Sequence, residues 1–233
     1  MIFRVKAGFS SFLSKQILPV LFARYLFLRM KKASLFILIA LLLGTAGVAF
    51  YTKSPKVQAM VGGTFTNYEV GDAVDSINGV AVYYNGAVAH TGERHLAADG
   101  YNYGLRWQCV EFVKRYYYDH LKHKMPNTYG HAKDFFNTSL DDGELNTDRN
   151  LLQYKNGSKT LPRVNDLLVF SAVTFNKYGH VAIVSKADST QIEMIQQNPG
   201  PTASSRVVYA VEKRNGKWCI DRNDLLGWLR KKE

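Results

Sequence analysis

The chain has 233 residues, with 30 lysine and arginine side chains against 19 acidic ones, and a formal net charge of +11. The first 59 residues hold nine of the basic side chains and no acid, so that subtracting nine from +11 leaves only +2 for residues 60–233. Most of the excess charge thus lies in the first 59 residues, which we call the leader. This distribution argues against a basic globular domain that binds nucleic acid. A hydrophobic content of 46% and an aromatic content of 13% argue against a disordered chain.

The leader contains an uncharged apolar run at residues 34–51, which is 18 residues long and follows Arg29, Lys31 and Lys32. A run of this length can just span a bilayer, and basic residues on one side are typical of signal peptides and membrane anchors. We predict a basic segment at 1–33 and a signal peptide or transmembrane anchor at 34–51. Either alternative exports the remainder, which is then membrane-anchored or secreted. Met30 offers an alternative start of the chain.

The segment after the leader changes in character at about residue 76. Residues 52–75 are rich in Pro, Gly, Thr and Ser and predict a linker. Residues 80–84 lie between two Asn-Gly pairs and predict a short strand. Residues 94–104 are polar and punctuated by glycine, which predicts a loop.

A helical pattern begins at Trp107, where apolar residues recur at three- and four-residue spacing as far as Leu121. A second, short helix is predicted at 132–138. The Asp-, Asn- and Gly-rich residues 141–159 predict a long surface loop.

The C-terminal part consists of short apolar or β-branched runs separated by turn residues, which predict consecutive strands. The predicted strands are 167–170, 180–185, 191–195, 206–212, 217–220 and 226–229. Helices followed by consecutive strands are typical of an α+β fold with an antiparallel sheet.

Cys109 and His180 are the candidate catalytic pair. Cys109 stands at the start of the long predicted helix, where free N–H groups and the helix dipole favour a thiolate and a lowered pKa. His180 opens a predicted strand and can therefore face the end of a helix packed on that sheet, as a Cys–His pair requires. From the spacing alone, a small buried cysteine and a structural histidine remain the alternatives.

The residues around this pair resemble a known family. Gly104 to Arg115 (GLRWQCVEFVKR) is similar to the nucleophile motif of the CHAP-domain cysteine, histidine-dependent amidohydrolases and peptidases, and Gly179 to Val184 (GHVAIV) resembles their histidine motif. The sequences GVAVY, QN and LGW extend the resemblance to the amidase domains of glutathionylspermidine synthetase/amidases. It covers about residues 76–230 and implies a papain-like CHAP domain there, with N-terminal helices packed on an antiparallel sheet.

The resemblance implies that Cys109 is the nucleophile and that His180 is the general base. The glutamate that orients the histidine in the glutathionylspermidine amidases is replaced here by Gln196, whose carbonyl oxygen can still accept the imidazole N–H. Gln196 is the first candidate for this role and Asn198 the second. Gln108 precedes the nucleophile and is either part of an oxyanion hole with the Cys109 N–H or a cap of the helix.

These features predict an exported thiol amidohydrolase or peptidase that needs no metal and no organic cofactor. The preferred substrate is a peptidoglycan amide, and the alternative is the amide of a glutathione–polyamine conjugate. A third alternative is a non-catalytic binding module, because Gln196 replaces a carboxylate. The expected partners are the amide substrate and, through the N-terminal helix, the membrane, but no nucleic acid.

Overall fold

The computed structural model of the protein describes Thr45 and residues 68–174, 176–200 and 203–233. The chain divides into two compact units, Met1–Gln58 and Ala59–Glu233, and all the described residues except Thr45 belong to the second. The predicted basic segment and the signal or anchor run therefore lie outside the described residues, apart from Thr45. No helix among the described residues is long and apolar enough to cross a bilayer.

In the residues that the structure describes, the second unit consists mainly of strands, with one α-helix. Its elements in the described ranges, in chain order, are β1 (Ala73–Ile77), β2 (Val80–Tyr83), β3 (Arg94–Leu96), β4 (Asn102–Leu105), α1 (Cys109–Asp119), a 3-10 helix (Ala132–Phe135), β5 (Leu145–Asn146), β6 (Leu151–Lys155), β7 (Leu167–Phe170), β8 (His180–Ala187), β9 (Gln191–Ile195), β10 (Arg206–Arg214), β11 (Lys217–Ile220) and β12 (Leu225–Arg230).

An eight-stranded antiparallel sheet forms the centre of the unit, with the strand order β11-β10-β9-β8-β7-β12-β6-β5. Two antiparallel pairs, β1 with β2 and β3 with β4, stand apart from it. The helix α1 packs against β8 and β4. An antiparallel sheet with a packed helix confirms the predicted α+β arrangement.

The central strands are apolar on both faces, because both faces of the sheet are covered. Leu167 and Val169 of β7 face α1 and pack with its residues Phe112 and Val113. The alternate residues of the same strand join a second core on the other face, around Trp228. This is why the runs at 167–170 and 180–185 are continuously apolar instead of alternating.

The prediction of loops at 94–104 and 141–159 is wrong, because each segment contains a pair of strands. Residues 94–104 form the hairpin β3–β4, and residues 141–159 contain β5 and β6, which extend the main sheet beyond β12. Gln153 of β6 is fully buried although it is polar, because its amide bonds Asn137 and Asn146. Polar residues that are satisfied by tertiary contacts hide these strands from a pattern based on hydrophobicity.

The expectation of several packed helices is also corrected. The segment predicted as a helix at 132–138 is one turn of 3-10 helix at Ala132–Phe135, and α1 is the only α-helix of residues 68–174, 176–200 and 203–233. The long helix ends at Asp119, two residues before the predicted end.

Candidate active site

Cys109 is the first residue of α1, and Gln108 is the N-cap with extended backbone angles. The Cys109 side chain is 8% exposed. The backbone N–H of Val181, the residue after His180, acts on the sulfur by lowering the pKa of the thiol, which places the thiol near the beginning of β8. The packing of α1 on the sheet therefore brings the candidate nucleophile to the strand that carries the candidate base.

A glycine sets the position of His180. Gly179 has φ +75°, and a Cβ at this position would lie 2.5 Å from the carbonyl oxygen of Phe170. Only glycine allows this close approach, which delivers His180 to the start of β8 opposite Phe170.

The imidazole of His180 is held by Gln196. Its Nε2 lies 2.9 Å from Gln196 Oε1, while Gln196 Nε2 donates to the carbonyl oxygen of Ser204 at 2.8 Å. Because the Ser204 carbonyl can only accept, it fixes which end of the amide faces the imidazole. Nε2 of His180 therefore carries the proton, and Nδ1 has the free lone pair that a general base needs.

A cleft of about 570 Å³ collects four of the five residues singled out in the sequence. Cys109, His180, Gln108 and Asn198 line it, whereas Gln196 is 4% exposed and lies behind the imidazole. The five residues come from three separate parts of the chain.

Asn198 lies in the cleft but bonds other groups than His180. Its Nδ2 donates to Gln108 Oε1 at 3.0 Å and to the carbonyl oxygen of Val88 at 3.0 Å. The orienting contact to His180 comes from Gln196, the first of the two candidates.

The Gln108 side chain makes no cap hydrogen bond to the helix, so the capping alternative is wrong. Its Nε2 donates to the carbonyl oxygen of His90. The other N–H of this amide has no protein acceptor among the described residues, and Gln108 lines the cleft.

Burial decides the protonation of the pair. It raises the pKa of the Cys109 thiol to about 11, although N–H groups from Val181 and Val110 act in the opposite direction. It lowers the pKa of His180 to about 4, against the raising effect of the bond to Gln196. The expectation of a lowered thiol pKa at the helix terminus is therefore wrong, because desolvation outweighs the N–H groups around the sulfur. At neutral pH these shifts favour a neutral thiol and a neutral imidazole.

Gln197 was not predicted as a site residue, although it lies between two that were. It is fully buried, donates to the carbonyl oxygen of Gln108 at 3.0 Å and to Glu111 Oε2 at 2.8 Å, and accepts the N–H of Tyr83. Neighbouring side chains of an extended segment point to opposite sides, so the side chain of Gln197 points away from that of Gln196 and toward α1. This alternation is the sequence pattern that could have identified Gln197.

The Glu111–Arg115 pair is a buried cluster and not a surface ion pair. Glu111 has no exposed surface and accepts from Arg115 Nε at 2.6 Å, from Gln197, and from His95 Nδ1 at 2.8 Å. These bonds hold the pKa of Glu111 below its usual value in spite of burial. The cluster ties the first turn of α1 to the segment that carries Gln196.

The sequence is similar to one family model and to a curated protein. A family model described as CHAP domain matches residues 99–198. Trypanothione synthetase of Crithidia fasciculata is 24% identical over 149 residues, which cover 60% of this chain and 23% of that protein. The chain thus matches less than a quarter of the length of this curated relative.

Two solved structures of low overall similarity were also found. The wild-type endolysin LysIME-EF1 aligns with a TM-score of 0.34 and 18% identity, over 62% of this chain and 60% of that chain. Ly7917 aligns with a TM-score of 0.35 and 15% identity, over 53% of each chain.

Proposed function

We propose, on the premise that residues 99–198 are a CHAP domain, that the chain is a hydrolase of amide bonds with Cys109 as nucleophile and His180 as general base. The observation that carries this proposal is the shared cleft, in which Cys109 and His180 both line the wall while Gln196 holds the far nitrogen of the imidazole. A merely structural cysteine and histidine would not need a common cavity.

The protonation of the pair indicates how the reaction would begin. The sulfur of Cys109 attacks the amide carbonyl while its proton moves to Nδ1 of His180, since a preformed thiolate is disfavoured by burial. The C–N bond then breaks as the imidazolium returns this proton to the leaving amine. Water, deprotonated by His180, attacks the thioester carbonyl, and the C–S bond breaks as the imidazolium gives its proton to the departing sulfur, which restores the thiol and neutral His180.

Charge that develops on the carbonyl oxygen needs donors at the same end of the cleft. We assign this role to the backbone N–H of Cys109 and to the unengaged N–H of Gln108 Nε2, whose amide is held by Asn198. An oxyanion donor of this kind typically contributes about 100- to 1000-fold in rate.

The substrate we propose is a peptidoglycan amide, reached by export through the apolar run at 34–51. A second candidate is the amide of a glutathione–polyamine conjugate. It is favoured by the 24% identity with a protein named trypanothione synthetase, together with the GVAVY, QN and LGW segments.

The test is a parallel digestion by the detergent-solubilised full chain of peptidoglycan fragments and of glutathionylspermidine, followed by mass analysis of the products. We expect new amine and carboxylate ends in one of the two, lost by at least about 1000-fold in Cys109→Ala. Cys219→Ala is the matched control and should retain activity, because Cys219 lies on β11 outside the cleft. Binding of either substrate without cleavage would favour the non-catalytic module.

A further inference from the structure

One cationic side chain on the cleft wall is not used by the proposed chemistry. Arg94 lies on β3 and pairs with Leu105 of β4, four residues before the nucleophile. Its exposed side chain lines the same cleft as Cys109 and His180. Arg94 therefore forms part of the wall of the cleft that a substrate would occupy.

Two contacts fix the guanidinium without neutralising it. Arg94 Nη1 donates to Asn102 Oδ1 at 3.1 Å, and the carbon of the guanidinium lies 5.5 Å from the centre of the Tyr129 ring. Asn102 is itself buried, and its Nδ2 donates to the carbonyl oxygen of Thr128, so its oxygen is committed to Arg94. The backbone of Tyr129 is tied down by the buried Arg149.

The charge of Arg94 has no acidic partner among the described residues. An arginine has five N–H donors, and only one of those of Arg94 is engaged by a protein acceptor in the described ranges. Asp134 is the carboxylate on the cleft wall, but it accepts the backbone N–H of His131 and makes no ion pair with Arg94. The positive charge also acts on Lys114, whose pKa is lowered to about 7 by burial first, then by Arg149 and by Arg94.

We propose that Arg94 is a specificity residue that binds a carboxylate of the substrate, separate from the scissile carbonyl. This inference rests on the proposed amide hydrolysis. It names the substrate class as amides that also carry a carboxylate. A planar guanidinium held in one orientation with free donors matches a carboxylate in bidentate geometry. Both candidate substrates contain such a group, the α-carboxylate of a γ-linked glutamyl residue.

The experiment compares matched substrates that differ only at this carboxylate. One pair is L-Ala-γ-D-Glu-L-Lys and the same tripeptide with the glutamyl α-carboxylate converted to a carboxamide. The other pair is glutathionylspermidine and its γ-glutamyl α-carboxamide analogue, so that the two arms distinguish the wall peptide from the conjugate.

For the pair that is cleaved, we expect kcat/KM to favour the carboxylate by about 10- to 100-fold. Arg94→Gln should remove this preference by lowering kcat/KM for the carboxylate alone, and Arg94→Lys should restore part of it. Arg214→Gln removes the same charge from the β10–β11 hairpin, outside the cleft, and should leave the preference unchanged.

Equal cleavage of both members of a pair by the wild type would overturn the role of Arg94 and leave amide hydrolysis intact. If no substrate is cleaved, the proposed hydrolysis fails, and calorimetric binding to Cys109→Ala decides the role of Arg94 on its own. Tighter binding of the carboxylate than of the carboxamide, lost in the Cys109→Ala/Arg94→Gln double variant, would support it. Equal binding would overturn it.

Discussion

At the scale of single residues, desolvation affects the pKa values of Cys109 and His180 more strongly than the helix dipole does. Cys109 has the N–H groups that favour a thiolate, yet its pKa is raised to about 11, and that of His180 is lowered to about 4. The bond to Gln196 raises the pKa of His180 but does not overcome burial, because a neutral amide orients the imidazole without the charge that would stabilise imidazolium. The proposed enzyme therefore starts from a neutral pair and moves the proton during the attack.

A neutral thiol and a neutral imidazole predict that kcat/KM stays high over a wide pH range. Gln196→Glu should shorten this range at its acid end. Activity requires neutral His180, so kcat/KM should rise with pH through about 4 and stay level to pH 9 or above. A carboxylate at position 196 favours imidazolium and raises the pKa of His180, which should shift the acid limb upward by about 1 to 2 pH units.

The measurement is kcat/KM from pH 3.5 to 9 for the wild type, Gln196→Glu and Gln196→Ala. The alanine variant separates orientation from charge, since it should lower the plateau without raising the acid limb. An acid limb at the same pH in the wild type and Gln196→Glu would show that residue 196 does not act on the titrating base.

At the scale of elements, the site depends on how the start of α1 is fastened to the chain that follows β9. Gln197 makes this connection through Gln108 and Glu111, while its neighbours Gln196 and Asn198 reach His180 and the Gln108 side chain. Three consecutive side chains thus fix both halves of the proposed catalytic pair. We expect α1 and this segment to move together if either is disturbed.

Gln197→Glu tests this connection. It would place a second carboxylate about 3 Å from Glu111 in a buried position, and also remove a donor to the Gln108 carbonyl. We expect the free energy of unfolding to fall by about 2 to 4 kcal/mol, measured by urea denaturation. The exchange variant Glu111→Gln/Gln197→Glu restores one carboxylate and one amide and should recover part of this loss. Equal stability of Gln197→Glu and the wild type would contradict the buried contact.

At the scale of the whole molecule, the sequence predicts what depends on apolar patterns and not what depends on polar tertiary contacts. The strands at 167–170 and 191–195 and the start of α1 at Cys109 follow from continuous or periodic apolar residues. The hairpin of β3 and β4 has no such pattern, because β3 is short and mostly exposed while β4 is mostly buried although it contains a polar residue and a glycine. Arg94 was missed with it, since a cleft residue on an unrecognised strand leaves no periodic signal.

A buried lysine, Lys114, predicts how the free energy of unfolding depends on pH. Lys114 has no exposed surface, and its ammonium group donates to the carbonyl oxygens of Asn102 and Thr128. Its pKa is about 7 in the folded protein against 10.5 as the ordinary value, with burial as the first cause. Between these values the unfolded chain binds a proton that the folded protein does not, so the contribution of Lys114 to stability rises with pH. That contribution is greatest above pH 10.5 and is lost as the pH falls to about 7.

Lys114→Met isolates this contribution, because other titrating groups are common to the variant and the wild type. From pH 7 to pH 9 we expect the free energy of unfolding of the wild type to gain about 1 to 3 kcal/mol relative to the variant, measured by urea denaturation. Below pH 6.5 the difference between the two proteins should no longer change. Lys217→Met, at an exposed position of β11, is the matched control and should run parallel to the wild type at every pH. A difference between wild type and Lys114→Met that is constant from pH 6 to pH 9 would mean that Lys114 stays charged inside the fold, held by the Asn102 and Thr128 carbonyls.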